Sequence, residues 1–237
     1  MTNKLSNNVL GIDTAQAETV IGLNDDVVNW VSDRNQSKEL LPAIDKLIRS
    51  QKLTPQKLRG VVVNIGPGSF TGLRVGLTVA NGFGYGLKIP LVGMSEFDVI
   101  RLFFPKVDLI ILDAKRDELF VEVKNQAPKL IPVAKLGGLI KRGMSVYVEP
   151  SLALTLHSQL SKAGTIYLGE IPRVERMTRM LNIAGQSSFA RELRTGKQVS
   201  PTSPRLRRIC DGLGKKRKFV PIFPLYLRGA NITKAKK

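Results

Sequence analysis

The stretch from Asn64 to Gly86 holds seven glycines between an apolar run and a helix-like run. Glycine inside a helix costs about 1 kcal/mol relative to alanine, so the segment must have a reason to keep them. One reason is a phosphate, which backbone N–H groups at a helix N-terminus bind readily. The other is close approach of a second backbone, since Gly72, Gly76 and Gly84 lie on one helix face.

The glycine spacing matches neither of the two common phosphate-binding motifs. A P-loop requires Gly-x-x-x-x-Gly-Lys followed by Ser or Thr, whereas Gly72 is followed by Leu73. Gly66, Gly68 and Gly72 are also spaced differently from Gly-x-Gly-x-x-Gly. The pattern therefore favours helix packing, and two alternatives stay open: contact with a partner's helix, or packing against this chain's own sheet.

Hydrophobic patterning predicts the elements of the first half. Short apolar strands at Val9–Ile12, Thr19–Leu23 and Val27–Val31 predict an antiparallel start. Leucines and isoleucines at helical spacing predict a helix over Ser37–Gln51, and a buried strand precedes the glycine-rich helix. This order is that of the ribonuclease-H-like fold of actin-like ATPase domains, a similarity of fold that does not by itself fix a function.

The second half repeats this opening more weakly. Strands are predicted at Asp108–Asp113 and Leu119–Lys124, further short strands around Tyr147 and at Thr165–Gly169, and a closing helix over residues 183–194. We therefore expect an α/β protein of two related subdomains, the second one reduced. The predicted segments are residues 1–105 for the first subdomain, with the partner-binding helices, 106–195 for the second, and 196–237 for a basic tail.

Positive charge is concentrated near the C-terminus. Residues 191–237 hold 14 Lys and Arg against two acids, whereas the preceding residues hold 23 against 17. Such a segment predicts binding to a polyanion, with RNA the leading candidate; the alternative is a solvated tail that only aids solubility. The candidate tRNA contacts are Lys215, Lys216, Arg217, Lys218 and Arg228.

Cysteine content and hydropathy bear on the compartment. The single cysteine, Cys210, excludes an intramolecular disulfide framework and is typical of a reducing cytoplasm. No run approaches the roughly 20 apolar residues of a membrane helix, and the N-terminus lacks the pattern of a signal peptide. We expect a cytoplasmic protein with no membrane contact.

Several blocks carry a family resemblance. "VLGIDTAQAETVIGL", "GPGSFTGLRVGLTVANGFGYGLKIPLVGMSEFDVI", "ILDAKRDELFVEV" and "PLYLRGANITK" together resemble the bacterial TsaB (YeaZ) family. The resemblance implies a non-catalytic scaffold or activator subunit in threonylcarbamoylation of adenosine 37 of tRNA. The implied partners are a TsaD-type paralogue, a TsaE-type ATPase and tRNA, with a homodimer as the form of the chain alone.

The resemblance also implies where the TsaD-type partner binds. The helix after "GPGSFTG" and the amphipathic helix before it pack against the equivalent pair in TsaD. A leucine at Gly76 is then expected to abolish pairing with the fold intact. The implied interface residues are Leu40, Leu41, Ile44, Leu47, Gly72, Leu73, Gly76, Ala80 and Gly84.

Catalytic residues are the weakest part of the resemblance. The one histidine, His157, cannot form the His-x-x-x-His metal pair of the active relatives. Asp13, Thr14 and Asp113 are either remnants of a nucleotide cleft or residues that brace their hairpins. We expect no metal, no intrinsic cofactor and no turnover, with ATP or ADP held only at the interface with the partner. The alternative functions are an active actin-like ATPase or kinase, and a stand-alone RNA-binding module.

Overall fold

The structure, a computed structural model, describes residues 8–32, 35–185, 221–225 and 227. The candidate tRNA contacts Lys215 to Lys218 and Arg228 lie outside the described residues, as does most of the predicted basic tail. The predicted closing helix also continues past the described part of the chain, beyond residue 185.

The first sheet has five strands. β1 (Val9–Asp13), β2 (Glu18–Leu23) and β3 (Asp26–Val31) form an antiparallel meander. β4 (Gly60–Asn64) pairs in parallel with β1, and β5 (Leu91–Met94) in parallel with β4. The resulting order is β3-β2-β1-β4-β5, which is the ribonuclease-H-like arrangement that the sequence predicts.

Helices cover both faces of this sheet. α1 (Gln36–Ser50) and α2 (Phe70–Leu87) share one apolar core with the face of β1 that carries Leu10 and Ile12. α3 (Glu96–Phe103) and α4 (Arg173–Gly185) pack on the opposite face. Every residue of β4 is buried as a result, as expected of a parallel strand with helices on both sides.

A pair of glycines lets α4 approach the sheet closely. Gly11 on β1 lies directly opposite Gly22 on β2. A Cβ atom at Gly22 would lie 2.7 Å from Leu181 Cδ1 and 2.9 Å from Met177 Cγ. The side chains of Met177 and Leu181, which are almost fully buried, therefore fill the space that the two glycines leave.

The second sheet repeats the arrangement of the first. β6 (Leu109–Asp113), β7 (Glu118–Val123) and β8 (Lys129–Pro132) are antiparallel. β9 (Ser145–Val148) and β10 (Thr165–Leu168) continue in parallel on the other side of β6. The order β10-β9-β6-β7-β8 matches that of the first sheet position by position.

The connections of the second sheet are shortened. Where the first sheet has the long helices α1 and α2, the second has 3₁₀ turns at Val133–Gly138, Pro150–Leu152 and Gln159–Lys162. Leu136, Leu152 and other side chains from these segments cover one face of the sheet. The α/β fold of two related halves, with the second one reduced, is confirmed.

The extent of the two halves differs from the predicted segments. The described residues up to Phe103 and from Ile171 to Pro224 form one compact unit, and Phe104 to Glu170 form the other with Leu225. α4 thus belongs to the first unit, whereas the predicted second subdomain, 106–195, contained it. The reason is the packing of Met177 and Leu181 against the first sheet.

The predicted start of the closing helix, residue 183, was wrong: α4 begins ten residues earlier, at Arg173. In the parts of the chain that the structure describes, no helix combines the length and the apolar character that crossing a bilayer requires.

Glu39 gives α1 a pH-sensitive attachment to β3. Its Oε2 accepts hydrogen bonds from Ser32 Oγ (2.5 Å) and from the indole Nε1 of Trp30 (2.9 Å). The bond from Ser32, followed by that from Trp30, lowers the pKa of Glu39 below its ordinary 4.5. A lowered carboxyl pKa stabilises the fold above that ordinary value, and the contribution is lost as pH falls through the pKa of the folded state.

Trp30 is the only tryptophan, so its fluorescence reports on this attachment. We expect an acid titration of the emission with a midpoint below pH 4.5, and we expect Glu39→Gln to remove that titration because glutamine carries no titrating proton. Asp45→Asn on the exposed side of α1 serves as a matched control. A midpoint at or above pH 4.5 would contradict the expectation.

Candidate functional site

The stripe of small residues on α2 faces the chain's own sheet; it consists of Gly72, Gly76, Ala80 and Gly84. A Cβ atom at Gly72 would lie closer than 3.0 Å to the carbonyl oxygen of Thr14, and one at Gly76 equally close to Thr14 Oγ1. Thr14 Oγ1 in turn donates a 2.7 Å hydrogen bond to the carbonyl oxygen of Gly72. At the far end of the stripe, a Cβ at Gly84 would lie 2.6 Å from Leu91 Cγ. Of the two alternatives for the stripe, internal packing accounts for it.

The residues expected at the partner interface therefore need correction. Eight of the nine are buried in the unit itself, because the apolar face of each helix is turned to the sheet: Leu40, Ile44, Leu47, Gly72, Leu73, Gly76, Ala80 and Gly84. Only Leu41 is exposed, at 52%. A leucine at Gly76 would collide with Thr14, so it would disturb the fold instead of leaving it intact.

The exposed side of α2 carries a second stripe of small residues that the sequence analysis missed. Thr78, Gly82 and Gly86 are spaced four apart and exposed, and a Cβ at either glycine would meet nothing within 4 Å. Tyr85, 71% exposed, and Phe70, 41% exposed, flank this stripe. We call the exposed residues Leu41, Phe70, Thr78, Gly82, Tyr85 and Gly86 the outer face.

A segment from near the C-terminus lies along α2. Asn81 Nδ2 donates to the carbonyl oxygen of Ile222 (2.9 Å), and the Ile222 N–H donates to Asn81 Oδ1 (2.8 Å). The Ile222 side chain is buried in the core that α1 and α2 share. Asn81 thus anchors this segment to the helix, while Gly82 beside it remains exposed.

Asp13 is buried and paired with an arginine of the same unit. Its Oδ1 accepts the backbone N–H of Ala15 (3.0 Å), and its Oδ2 lies 2.6 Å from Arg173 Nη2. The hydroxyl of the neighbouring Thr14 is used within the fold, in its bond to Gly72. The carboxyl end of β1, where ligands of open α/β sheets usually bind, is therefore occupied by a side chain from α4.

A second arginine of α4 is linked through Glu96 to the end of the neighbouring strand β4. Arg176 Nη1 is paired with Glu96, whose other oxygen accepts a 2.9 Å hydrogen bond from Asn64 Nδ2 at the end of β4. Burial lowers the pKa of the Arg176 guanidinium and the charge of Asp13 raises it, with a net lowering; arginine nevertheless stays protonated in proteins. Two fixed positive charges thus stand at the ends of these strands.

Asp113, the equivalent of Asp13 in the second unit, is also paired with a cation of its own unit. Its carboxylate accepts the backbone N–H of Lys115 (2.6 Å) and pairs with the Lys115 ammonium. Partial burial raises the pKa of Asp113, but the hydrogen bonds and the charge of Lys115 together lower it by more, so the net shift is downward. Its backbone N–H donates to Glu149 Oε2 (2.8 Å). Each aspartate thus stabilises the hairpin that follows its strand.

Metal ligands are not clustered in the described residues: no three His, Cys, Asp or Glu side chains there come together in a way that could hold a metal ion. His157 is exposed and lies in a turn between two 3₁₀ segments.

The known proteins that are similar to this chain are of the TsaD and TsaB types. The family model described as "TsaD: tRNA N6-adenosine threonylcarbamoyltransferase" matches residues 22–141, half of the chain. TsaB of Bacillus subtilis is 31% identical over 118 residues, which cover 48% of this chain and 50% of the relative. TsaB of Escherichia coli is 31% identical over 91 residues, covering 37% and 39%. The chain belongs to the TsaD-related TsaB (YeaZ) family.

Two solved structures of the YeaZ type share the fold. "YeaZ from Pseudomonas aeruginosa" superposes with a TM-score of 0.53 at 15% identity, over 74% of this chain and 91% of that one. A second structure, "an uncharacterized protein with similarity to peptidase YEAZ from Pseudomonas aeruginosa", superposes with a TM-score of 0.60 at 15% identity, over 93% of this chain and 99% of that one. In the sequence alignment, this TsaB-like chain spans about half the length of the B. subtilis relative.

The two glycine stripes predict opposite effects of the same substitution. Gly72→Ala should lower the free energy of unfolding by about 1–3 kcal/mol, because the carbonyl oxygen of Thr14 cannot yield to a new methyl group. Gly82→Ala should raise it by about 1 kcal/mol, since the methyl group enters open space in a helix. Urea denaturation of both variants measures this. Equal effects would mean that the two faces are packed alike.

Proposed function

We propose that this chain is a non-catalytic scaffold or activator subunit in threonylcarbamoylation of tRNA adenosine 37, acting in the cytoplasm together with a TsaD-type protein. Membership of the TsaB (YeaZ) family supports the pathway. The observation that supports the non-catalytic role is the pairing of Asp13 with Arg173.

Each oxygen of the Asp13 carboxylate already has a partner within the unit. A magnesium–nucleotide site needs carboxylate oxygens that are open to the metal or its waters, whereas Asp13 binds the N–H of Ala15 and the guanidinium of Arg173. The charges of Arg173 and Arg176 would also repel a divalent cation in this position. We therefore expect no nucleotide turnover by the chain alone; turnover would favour the alternative of an active ATPase or kinase.

The outer face is the proposed surface for the TsaD-type partner. Gly82 and Gly86 lower the stability of the helix, and in the described part of the unit a Cβ atom at either position would meet nothing within 4 Å. Close approach of a second helix would use that space, and Tyr85 with Phe70 supplies apolar area beside it. A TsaE-type ATPase would join this pair. ATP or ADP would be held only at the interface between this chain and the TsaD-type partner. The chain alone would use the same face in a homodimer.

Light scattering of the chain mixed with its TsaD-type relative, with and without ATP, tests the proposal. We expect a heteromer with the wild type and none with Gly82→Leu, whose side chain enters open space in the unit but would block a partner helix. Gly137→Leu is the matched control, because Gly137 lies in equally open space in the second unit. Heteromer formation by Gly82→Leu, with wild-type circular dichroism, would rule out the outer face.

The basic tail is the proposed tRNA contact outside the described residues. Replacing Lys215, Lys216, Arg217 and Lys218 by alanine should weaken tRNA binding. It should also reduce the slope of log K against log salt by roughly 3, since each lost phosphate contact removes about 0.7–0.9. Fluorescence anisotropy with labelled tRNA measures both quantities. An unchanged slope would leave the cluster as a solvated tail, and tight tRNA binding without any heteromer would favour a stand-alone RNA-binding module.

A further inference from the structure

The second unit separates its charges along the strand direction. Residues 104–170 hold nine Lys and Arg against seven Asp and Glu, so the composition of this segment is close to neutral. The fold nevertheless collects most of the cations at one end of the sheet. We call this group the basic end; it consists of the exposed residues Lys106, Lys124, Lys129, Lys141, Arg142 and Lys162.

The strand directions bring these residues together. β6, β9 and β10 run parallel, and each is preceded by cations of the basic end. β7 runs antiparallel to β6 and is followed directly by Lys124, and β8 reverses direction again and begins at Lys129. All of these positions therefore lie at the same end of the sheet, where the parallel strands start.

Hydrogen bonds connect the loops of the basic end to one another. The N–H of Lys124 donates to the carbonyl oxygen of Asp108 (2.7 Å), and the N–H of Asp108 to that of Ser145 (2.8 Å). The N–H of Gly143 donates to the carbonyl oxygen of Lys162 (3.2 Å). The cations therefore stand on loops that backbone hydrogen bonds hold in fixed positions relative to one another.

Two acids stand near the basic end, against its six cations. The carboxylate of Asp108 accepts the N–H (2.9 Å) and the hydroxyl (2.8 Å) of Ser145. Glu122, near the end of β7, is the other acid at this end, and its side chain is buried. Among the residues that the structure describes, no salt bridge involves a cation of the basic end. The other five acids of residues 104–170 stand at the opposite end of the sheet: Asp113, Asp117, Glu118, Glu149 and Glu170.

Distance keeps the two ends electrically separate. A five-residue strand such as β6 spans about 15 Å, which exceeds the Debye length of about 8 Å at physiological ionic strength. The acids of the opposite end therefore do not compensate the positive charge that the basic end presents to solvent. A closely grouped set of exposed Lys and Arg side chains suits the phosphates of a nucleic-acid backbone.

We infer that the basic end is a contact surface for the phosphate backbone of RNA, separate from the C-terminal tail. With tRNA as the RNA concerned, the inference rests on the proposed function. Of the described loops that carry these cations, residues 124–129, 141–144 and 161–164 contain no aromatic side chain. We therefore expect binding through charge, without base stacking or sequence preference.

Anisotropy with labelled tRNA at several salt concentrations tests the inference on the full chain. The test variant combines Lys124→Ala, Lys141→Ala and Arg142→Ala. The matched control combines Lys46→Ala, Lys57→Ala and Arg59→Ala, which removes the same residue types from exposed positions of the first unit. We expect the slope of log K against log salt to fall by roughly 2–3 in the test variant, and to stay at the wild-type value in the control.

Several outcomes would overturn the inference. An unchanged slope in the test variant would do so. An equal decrease of the slope in the test and control variants would also do so, because the effect would then depend only on the net charge of the chain. Binding to phosphatidylserine vesicles that only the test variant loses, with tRNA binding intact, would assign the basic end to lipid headgroups. The readout needs no TsaD-type protein, so failure of pairing and failure of RNA contact are seen separately. Repeating the comparison with the tail cluster replaced by alanine should give the same difference in slope.

Discussion

The first unit depends on how closely α2 approaches the turn that follows β1. Gly72 and Gly76 place the helix backbone against Thr14, and the Thr14 hydroxyl completes the contact by donating to the Gly72 carbonyl oxygen. This approach fixes the position of α2 over the sheet, and Leu73 and Leu77 are buried as a consequence. The side of the helix turned to solvent is determined at the same time, so one steric constraint defines both the core and the candidate partner surface.

Charges follow a common rule in the two halves. The aspartate that ends the first strand of each sheet is paired with a cation of its own unit, Arg173 for Asp13 and Lys115 for Asp113. The side chains of Arg173 and Asp13 are only 12% and 3% exposed, so loss of either partner would leave an uncompensated charge in a medium that solvates it poorly. The pairs therefore secure the hairpins at positions where related folds bind ligands.

Local patterning predicted what depends on local order. The first three strands and α1 lie within about one residue of their predicted bounds, because alternation and helical spacing are properties of neighbouring residues. The start of α4 was predicted too late because charged residues such as Glu175 and Arg179 surround its buried Met177. Both glycine stripes of α2 repeat every four residues, so only the structure shows which one faces the sheet. The pairing of Arg173 with Asp13 joins distant parts of the chain and left no local pattern.

Gly82, Gly84 and Gly86 together cost the C-terminal half of α2 about 3 kcal/mol of intrinsic helix stability. This half is held by Leu91, which packs at Gly84, and by the two bonds between Asn81 and Ile222. Its amide hydrogens should therefore exchange with solvent faster than those beside Thr14. A protein that docks on this half would slow that exchange, and part of its binding free energy would be spent on ordering the helix. The affinity of a partner at this surface is thus coupled thermodynamically to the rigidity of α2.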